Sequence, residues 1–243
     1  MKKVLLTTVL VLTTSSAALA ETDGGQRQCT IPGSTIKDLQ AQLTTVVALP
    51  DANGGIFKPN RMWSAVVDRK GTLCSVIVTG DAWPGSRAIA IAKAETANDF
   101  SNSALALSTA NLYGPTQPGG SLYGLNNSNP FNPEYNRTTT GAEPGTGVGH
   151  NPGGVITFGG GVALYVGGKV IGGLGVSGDS SCADHAIAFR MRKLAQLDRV
   201  SSGVAPDATD NIIYAPANTA PTGFQQPHCF PSDLSPTAVE AIP

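Results

Sequence analysis

Hydrophobic and polar positions along the chain repeat with two different periods. Apolar residues recur every three or four positions in TIKDLQAQLTTVV (residues 35–47), which predicts an amphipathic helix. The runs MWSAVVD (62–68) and TLCSVIVTG (72–80) flank the turn RKG and predict a β-hairpin. Successive strand residues point to opposite faces. The first strand of the hairpin therefore divides into two sets, Met62, Ser64 and Val66 against Trp63, Ala65 and Val67.

A second helix is predicted within GSRAIAIAKAETANDFSNSALALSTA (85–110). Its small residues follow one narrow face, namely Ala90, Ala94, Ala97, Ser101 and Ala104. The adjoining stripe sets Lys93 and Thr96 between Ile89 and Phe100. Because buried lysines are rare, we favour an apolar stem of Lys93 with its ammonium group in solvent over a lysine that faces a ligand.

The long segment 111–153 shows no sustained periodicity and contains several aromatic residues, including Tyr113 and Tyr123. Loops of this length inside a compact chain are usually functional or disordered. Solvated linkers contain few aromatic side chains. The composition therefore predicts a lid that packs on the rest of the protein.

Three short runs then predict strands: GVITFGGG, VALYV and KVIGGLGVSG. They are followed by a helix from about Cys182 to Leu197 and a proline-rich tail. The fragment GLGVSG fits a dinucleotide-binding motif, but Asp198 closes the following helix and does not end a second parallel strand. The glycines are therefore better interpreted as strand positions that another backbone or a ligand approaches closely.

Residues able to cap a helix, bind a ligand or form a disulfide are most closely spaced at the start of that last helix, in SGDSSCADH. Ser181 and Asp184 have the spacing of a capping box. Cys182 is best interpreted as half of a disulfide. His185 lies in the first turn, where the helix dipole favours a neutral ring that can bind a metal, although a single histidine is more often structural. His150 and His228 add no spacing typical of a metal site.

The first twenty residues are set apart from the rest. Lys2 and Lys3 precede the apolar run 4–12, which closes on Ala18-Leu19-Ala20, the pattern of a cleavable secretory signal. No later run approaches the ~18 apolar residues of a membrane span, so we expect no membrane insertion. The short, lysine-led signal is typical of bacteria and predicts a periplasmic or secreted protein.

Charge and cysteine content limit the expected partners and the cellular compartment of the protein. Charged residues make up 14% of the chain and the net charge is -1, so nucleic acid is not an expected partner. The four cysteines, Cys29, Cys74, Cys182 and Cys229, predict two disulfides in an oxidising compartment. Three pairings are open on the sequence alone.

The order of these segments resembles the GlcG/HbpS-like haem-binding family from about residue 34 to 198. The family motifs are a KAxTA helix, a GGxPL turn, a GxxGVSG strand and an aspartate that opens the last helix. They fall on Lys93, Ala94, Thr96, Ala97, Gly160, Gly161, Gly175, Val176, Ser177, Gly178 and Asp184. The chain departs from the family in having Val162 where the turn often has proline, a longer central loop and a cysteine-bearing tail.

The resemblance implies an α+β fold that is profilin-like or PAS-like, with a five-stranded antiparallel sheet and packed helices. It implies a domain at 21–200 with an inserted loop at about 111–153, a tail at 201–243, and a homo-oligomer. In such a fold the hairpin and the end of the final strand are far apart, which excludes Cys74–Cys182 first. We therefore expect Cys29–Cys74 and Cys182–Cys229.

The leading hypothesis for function is a non-enzymatic, exported protein that binds haem or a related flat tetrapyrrole as a small-molecule ligand. Haem needs an apolar slot, an iron ligand and cations for its propionates. We expect His185 to bind the iron, with Tyr113 or Tyr123 as substitutes. The full set of expected ligand contacts is Arg87, Lys93, Thr96, Tyr113, Tyr123, Ser177, Asp184 and His185.

Two alternatives remain open. One is an enzyme acting on a small molecule, in which Lys93, Asp184 and His185 share acid–base work. Neighbours on a helix diverge by about 100° per residue, so Asp184 and His185 cannot both face one pocket, which disfavours this alternative. The other is an oligomeric interaction module that has no ligand.

Overall fold

One antiparallel sheet of four strands organises the part of the chain that the computed structural model describes, residues 27–136 and 147–242. The strands are β1 (Trp63–Asp68), β2 (Leu73–Val78), β3 (Gly161–Val166) and β4 (Lys169–Ser177). Their order across the sheet is β2-β1-β4-β3. The predicted hairpin is β1–β2, and β4 pairs with β1 in the register Trp63↔Ser177. The predicted signal peptide and residues 137–146 of the predicted lid lie outside the described residues.

The fold class is α+β, but the fifth strand expected from the family resemblance is not found among the described residues. The segment 154–158, predicted as a strand, is not one. Ile156 donates its amide proton to the Thr96 hydroxyl at 2.9 Å, and the Thr157 hydroxyl bonds Thr116 and Asn126. The Ile156 amide is thus bonded to a side chain of α2 and not to a neighbouring strand.

Six α-helices surround the sheet in the described ranges. They are α1 (Gly33–Val47), α2 (Ser86–Asp99), α3 (Tyr113–Thr116), α4 (Pro133–Asn136), α5 (Ser181–Leu194) and α6 (Pro236–Glu240). Two 3-10 turns lie at Ala52–Gly54 and Leu125–Asn127. No helix among the described residues is long and apolar enough to cross a membrane.

The sheet separates two hydrophobic layers. Met62 and Val66 pack with Leu43 of α1 and Ile187 of α5 on one face. Trp63, Ala65 and Val67 pack with α2 on the other face. The two faces predicted for the first hairpin strand are therefore confirmed.

Glycines of β4 bring α2 close to the sheet. A Cβ atom added to Gly173 would clash with the carbonyl oxygen of Ala94, and one added to Gly175 would clash with that of Ala90. The glycine run is thus a strand under a closely packed helix, as the sequence predicts. It does not form a dinucleotide-binding loop.

The second helix ends earlier than the sequence predicts. Helix α2 stops at Asp99, so Ser101 and Ala104 do not continue its small-residue face. The Ser101 hydroxyl accepts from the Leu107 amide at 3.1 Å, and Asn102 Oδ1 accepts from the amides of Ala104 and Leu105. Such local side-chain bonds compete with helical hydrogen bonds and end the helix.

Candidate functional site

The lysine of α2 and the aspartate of α5 form a buried ion pair. Lys93 Nζ lies 2.7 Å from Asp184 Oδ2, and the two side chains are 0% and 3% exposed. Lys93 also donates to the carbonyl oxygen of Val176 in β4 at 3.1 Å. The Phe158 ring lies 4.9 Å from Nζ, a cation–π contact. The favoured prediction that this ammonium group reaches solvent is wrong, because α2 lies flat on the glycines of β4.

The triple-glycine turn closes over this pair. A Cβ atom at Gly160 would lie 2.7 Å from Lys93 Nζ and 2.9 Å from Asp184 Cβ, and φ of Gly160 is +122°. A Cβ atom at Gly161 would clash with the carbonyl oxygen of Lys93. Only glycine fits both positions. The family's lysine, glycine and aspartate motifs thus meet in one compact cluster.

The start of α5 differs in detail from the predicted capping box. Ser180 caps the helix, since its hydroxyl accepts from the Ala183 amide at 3.2 Å. Ser181 does not take that role. Asp184 accepts from the Asp179 amide through Oδ1 at 3.0 Å and binds Lys93 through Oδ2. Burial raises the pKa of Asp184 to about 6, and the charge of Lys93 opposes that rise.

His185 lies in the interior. Its Nε2 atom accepts from the Ile212 amide at 3.0 Å, and its ring is fully buried. Burial lowers the pKa of His185 to about 4, so the ring is neutral, as the sequence predicts. The expected role as iron ligand does not fit this conformation, because Nε2 is already bonded and Nδ1 is buried.

The remaining expected contacts lie in different places. Thr96 accepts from Ile156 and fixes the segment that leads to Phe158. Ser177 is buried in the β-ladder opposite Trp63. Arg87 is also buried, and burial lowers the pKa of its guanidinium group.

The two tyrosines of the long loop are not part of this cluster. Tyr113 is half-buried at the start of α3, whereas Tyr123 is 68% exposed. The structure therefore brings Lys93, Asp184 and the glycine turn together and leaves the tyrosines outside. Thr96 lies one turn beyond Lys93 on α2, and His185 directly follows Asp184 on α5.

Two disulfides tie the ends of the chain to the sheet and α5. Cys29 bonds Cys74 and Cys182 bonds Cys229, with Cα–Cα distances of 5.3 and 6.0 Å. These are the pairings that the sequence analysis predicts. Each pair has an aspartate nearby, Asp68 and Asp233, but disulfide sulfurs are not thiolate ligands for a metal ion.

The tail forms a cleft that the sequence analysis missed. The cleft measures about 570 Å³ and has the stacked rings of Tyr214 and His228 in its wall, with centroids 3.9 Å apart. Asp207 and Glu240 also line it, and a hydrogen bond to the Asp207 carboxylate raises the pKa of Glu240. The residues that line the cleft follow no regular spacing in the sequence. The one feature that pointed to this region was His228 beside Cys229.

Comparison with known proteins gives the family. Residues 58–192 match the family model described as "Haem degrading protein HbpS-like". The chain belongs to the HbpS-like family. The match extends from the loop before β1 to the end of α5, and it includes the Lys93–Asp184 cluster. No curated relative was found.

Solved structures resemble this chain at low sequence identity, and one of them reaches a TM-score of 0.50. A Klebsiella pneumoniae protein, ORFY, is 23% identical and aligns over 72% of this chain and 96% of its own, with a TM-score of 0.50. A PduOC:haem complex is 27% identical over 68% and 94%, with a TM-score of 0.48. A double mutant of HbpS from Streptomyces reticuli is 16% identical over 77% and 98%, with a TM-score of 0.42.

Proposed function

We propose that this protein is an exported binding protein for haem or a related tetrapyrrole and that it does not transform its ligand. The observation that carries the proposal is the match of residues 58–192 to a family described by its action on haem. The matched residues include the whole sheet, α2 and most of α5.

Binding without turnover is favoured by the state of the expected acid–base groups. Lys93 and Asp184 neutralise each other in the interior, and His185 bonds the Ile212 amide. A general acid or base must reach the proton it transfers. All three side chains are buried, and none of them lines the clefts found among the described residues, which argues against the enzyme alternative.

Export is supported by two independent features. The first twenty residues have the pattern of a cleavable signal. Two disulfides fit an oxidising compartment. We further propose that the protein forms a homo-oligomer, as the family resemblance implies. Light scattering of the purified protein measures the number of subunits.

The experiment that separates binding from degradation follows bound haemin over time. Haemin is added to the purified full chain, and the absorption spectrum is recorded with and without ascorbate in air. We expect saturable binding and a Soret band that stays constant for hours. Loss of that band together with release of iron would contradict the non-enzymatic part. Absence of saturable binding would contradict the proposal itself and favour the interaction module.

A further inference from the structure

A second groove lies where the end of α1 and the loop before β1 meet the end of β2. It measures about 380 Å³, and its lining includes Ile56, Phe57, Lys58, Arg61 and Thr79. This groove was not foreseen from the sequence. It matters because the cations expected to hold a ligand, Arg87 and Lys93, are both buried inside the protein.

The groove borders an exposed apolar and aromatic surface. Ile56 is 60% exposed and Trp83 is 58% exposed. The rings of Phe57 and Trp83 contact each other with centroids 5.9 Å apart. The buried Trp63 donates its indole proton to the carbonyl oxygen of Trp83 at 2.9 Å, so the exposed ring is attached to the core at its backbone. A flat apolar ligand thus meets a surface that is already in place.

Two cations lie beside this surface. Lys58 and Arg61 are exposed, and neither forms an ion pair within the described ranges of the chain. The Arg61 guanidinium lies 5.4 Å from the centre of the Phe57 ring, which orients it. The nearby carboxylate of Asp179 accepts from the amides of Ile56 and Phe57 and so fixes the loop backbone.

Charge distinguishes this groove from the tail cleft. The tail cleft is lined by Asp207 and Glu240, which repel an anionic ligand. The described lining of the groove instead contains two cations, Lys58 and Arg61, and no carboxylate. A tetrapyrrole that carries two propionates on one edge complements an apolar surface with two cations at its side.

We infer that the groove beside Trp83 binds the tetrapyrrole, with Lys58 and Arg61 contacting the two carboxylates and Ile56 and Trp83 contacting the ring. This inference rests on the proposed function and names its site. None of the described residues that line the groove is a histidine, cysteine, methionine or tyrosine. Binding at this site therefore does not require iron, and metal-free protoporphyrin IX binds about as tightly as haemin.

The test is a titration of the full chain with haemin, followed by absorption, and with protoporphyrin IX, followed by fluorescence. We expect the Kd for both ligands to rise at least tenfold in the Lys58→Gln/Arg61→Gln variant. Trp83→Ala is expected to raise both Kd values at least threefold. The control, Lys169→Gln/Arg199→Gln, removes two other exposed cations and is expected to stay within twofold of the wild type.

The outcomes separate the site from the function. If the wild type binds haemin and both groove variants bind it equally well, the groove is not the site while the proposed function stands. The same conclusion follows if the wild type binds haemin but not protoporphyrin IX. If the wild type binds neither ligand, both the inference and the proposed function fail. Thermal melts of the variants verify that they are folded.

Discussion

Lys93 Nζ and Asp184 Oδ2 lie 2.7 Å apart in the interior, although 91 residues separate them in the chain. The pair joins α2 to α5 across the end of β4, and Gly160 closes over it. Burying two charges is costly unless each finds its partner. The lysine, glycine and aspartate motifs of the family therefore form one buried cluster in this chain.

Removal of one charge tests that structural role. Lys93→Met leaves Asp184 buried without its partner, and we expect the free energy of unfolding to fall by about 3–5 kcal/mol. Urea unfolding with the disulfides intact measures it. Lys169→Met, on the exposed end of β4, serves as control and should change stability by less than about 0.5 kcal/mol. A loss below about 1 kcal/mol in Lys93→Met would show that the pair is not structural.

A single methyl group tests the close packing of α2 on β4. Gly175→Ala places a Cβ atom against the carbonyl oxygen of Ala90, and we expect a loss of at least about 3 kcal/mol or failure to fold. Gly33→Ala, where nothing lies within 4 Å of the added atom, is the control and should be neutral or slightly stabilising. Thermal melts and soluble yield report the difference. Equal stability of the two variants would refute the described contact.

Glu95 is expected to make the protein less stable as the pH rises from 4.5 to about 9. Its side chain is buried on α2 and Oε1 has no partner among the described residues. Burial, together with Asp99 and Asp68, raises the pKa of Glu95 from 4.5 to about 9. The folded state thus keeps a proton that the unfolded chain releases. The stabilisation is complete below pH 4.5 and is lost as the pH rises towards 9.

Glu95→Gln keeps a neutral group of the same shape at every pH. We expect the variant to be more stable than the wild type by about 1–3 kcal/mol at pH 8, with the difference disappearing near pH 5. Urea unfolding at several pH values measures this. The exposed Glu134→Gln is the control. A constant difference between Glu95→Gln and wild type from pH 5 to 9 would mean that Glu95 is ionised in the folded protein.

The tail disulfide should stabilise the protein by an amount set by the loop it closes. Cys182 and Cys229 are 47 residues apart, which corresponds to roughly 4 kcal/mol in the chain-entropy model. We expect Cys182→Ala/Cys229→Ala to lose stability of this order and Cys29→Ala/Cys74→Ala to lose a similar amount. Peptide mapping without reductant identifies the bridges directly. A Cys29–Cys229 peptide would contradict the described pairing.

The sheet and its helices were largely predictable because their signals are local. The two faces of β1 follow from alternation, and α1 and α5 follow from helical spacing. The length of α2 was not predictable from spacing, since Ser101 and Asn102 end it through side-chain bonds. The segment 154–158 has strand composition, yet it forms no strand, and its Ile156 amide bonds the Thr96 hydroxyl of α2.

The candidate site was harder to predict because sequence cannot show whether a polar group faces a ligand or another residue. Lys93 and Asp184 were correctly singled out, but each is the other's partner. His185 was correctly expected to be neutral, but the tail segment at Ile212 covers it. Lys58 and Arg61 lie in the loop before β1 and Trp83 lies in the loop after β2. No periodic pattern in the sequence predicts that these two loops meet.

Haem binding is tested most directly by the absorption spectrum of the protein itself. The full chain, with residues 1–20 included, is produced in a bacterial host, purified from the periplasm without added ligand, and then titrated with haemin. We predict a Soret band on isolation or upon addition of micromolar haemin, saturating at one haemin per chain. A colourless protein that takes up no haemin at micromolar concentration would contradict the proposed function.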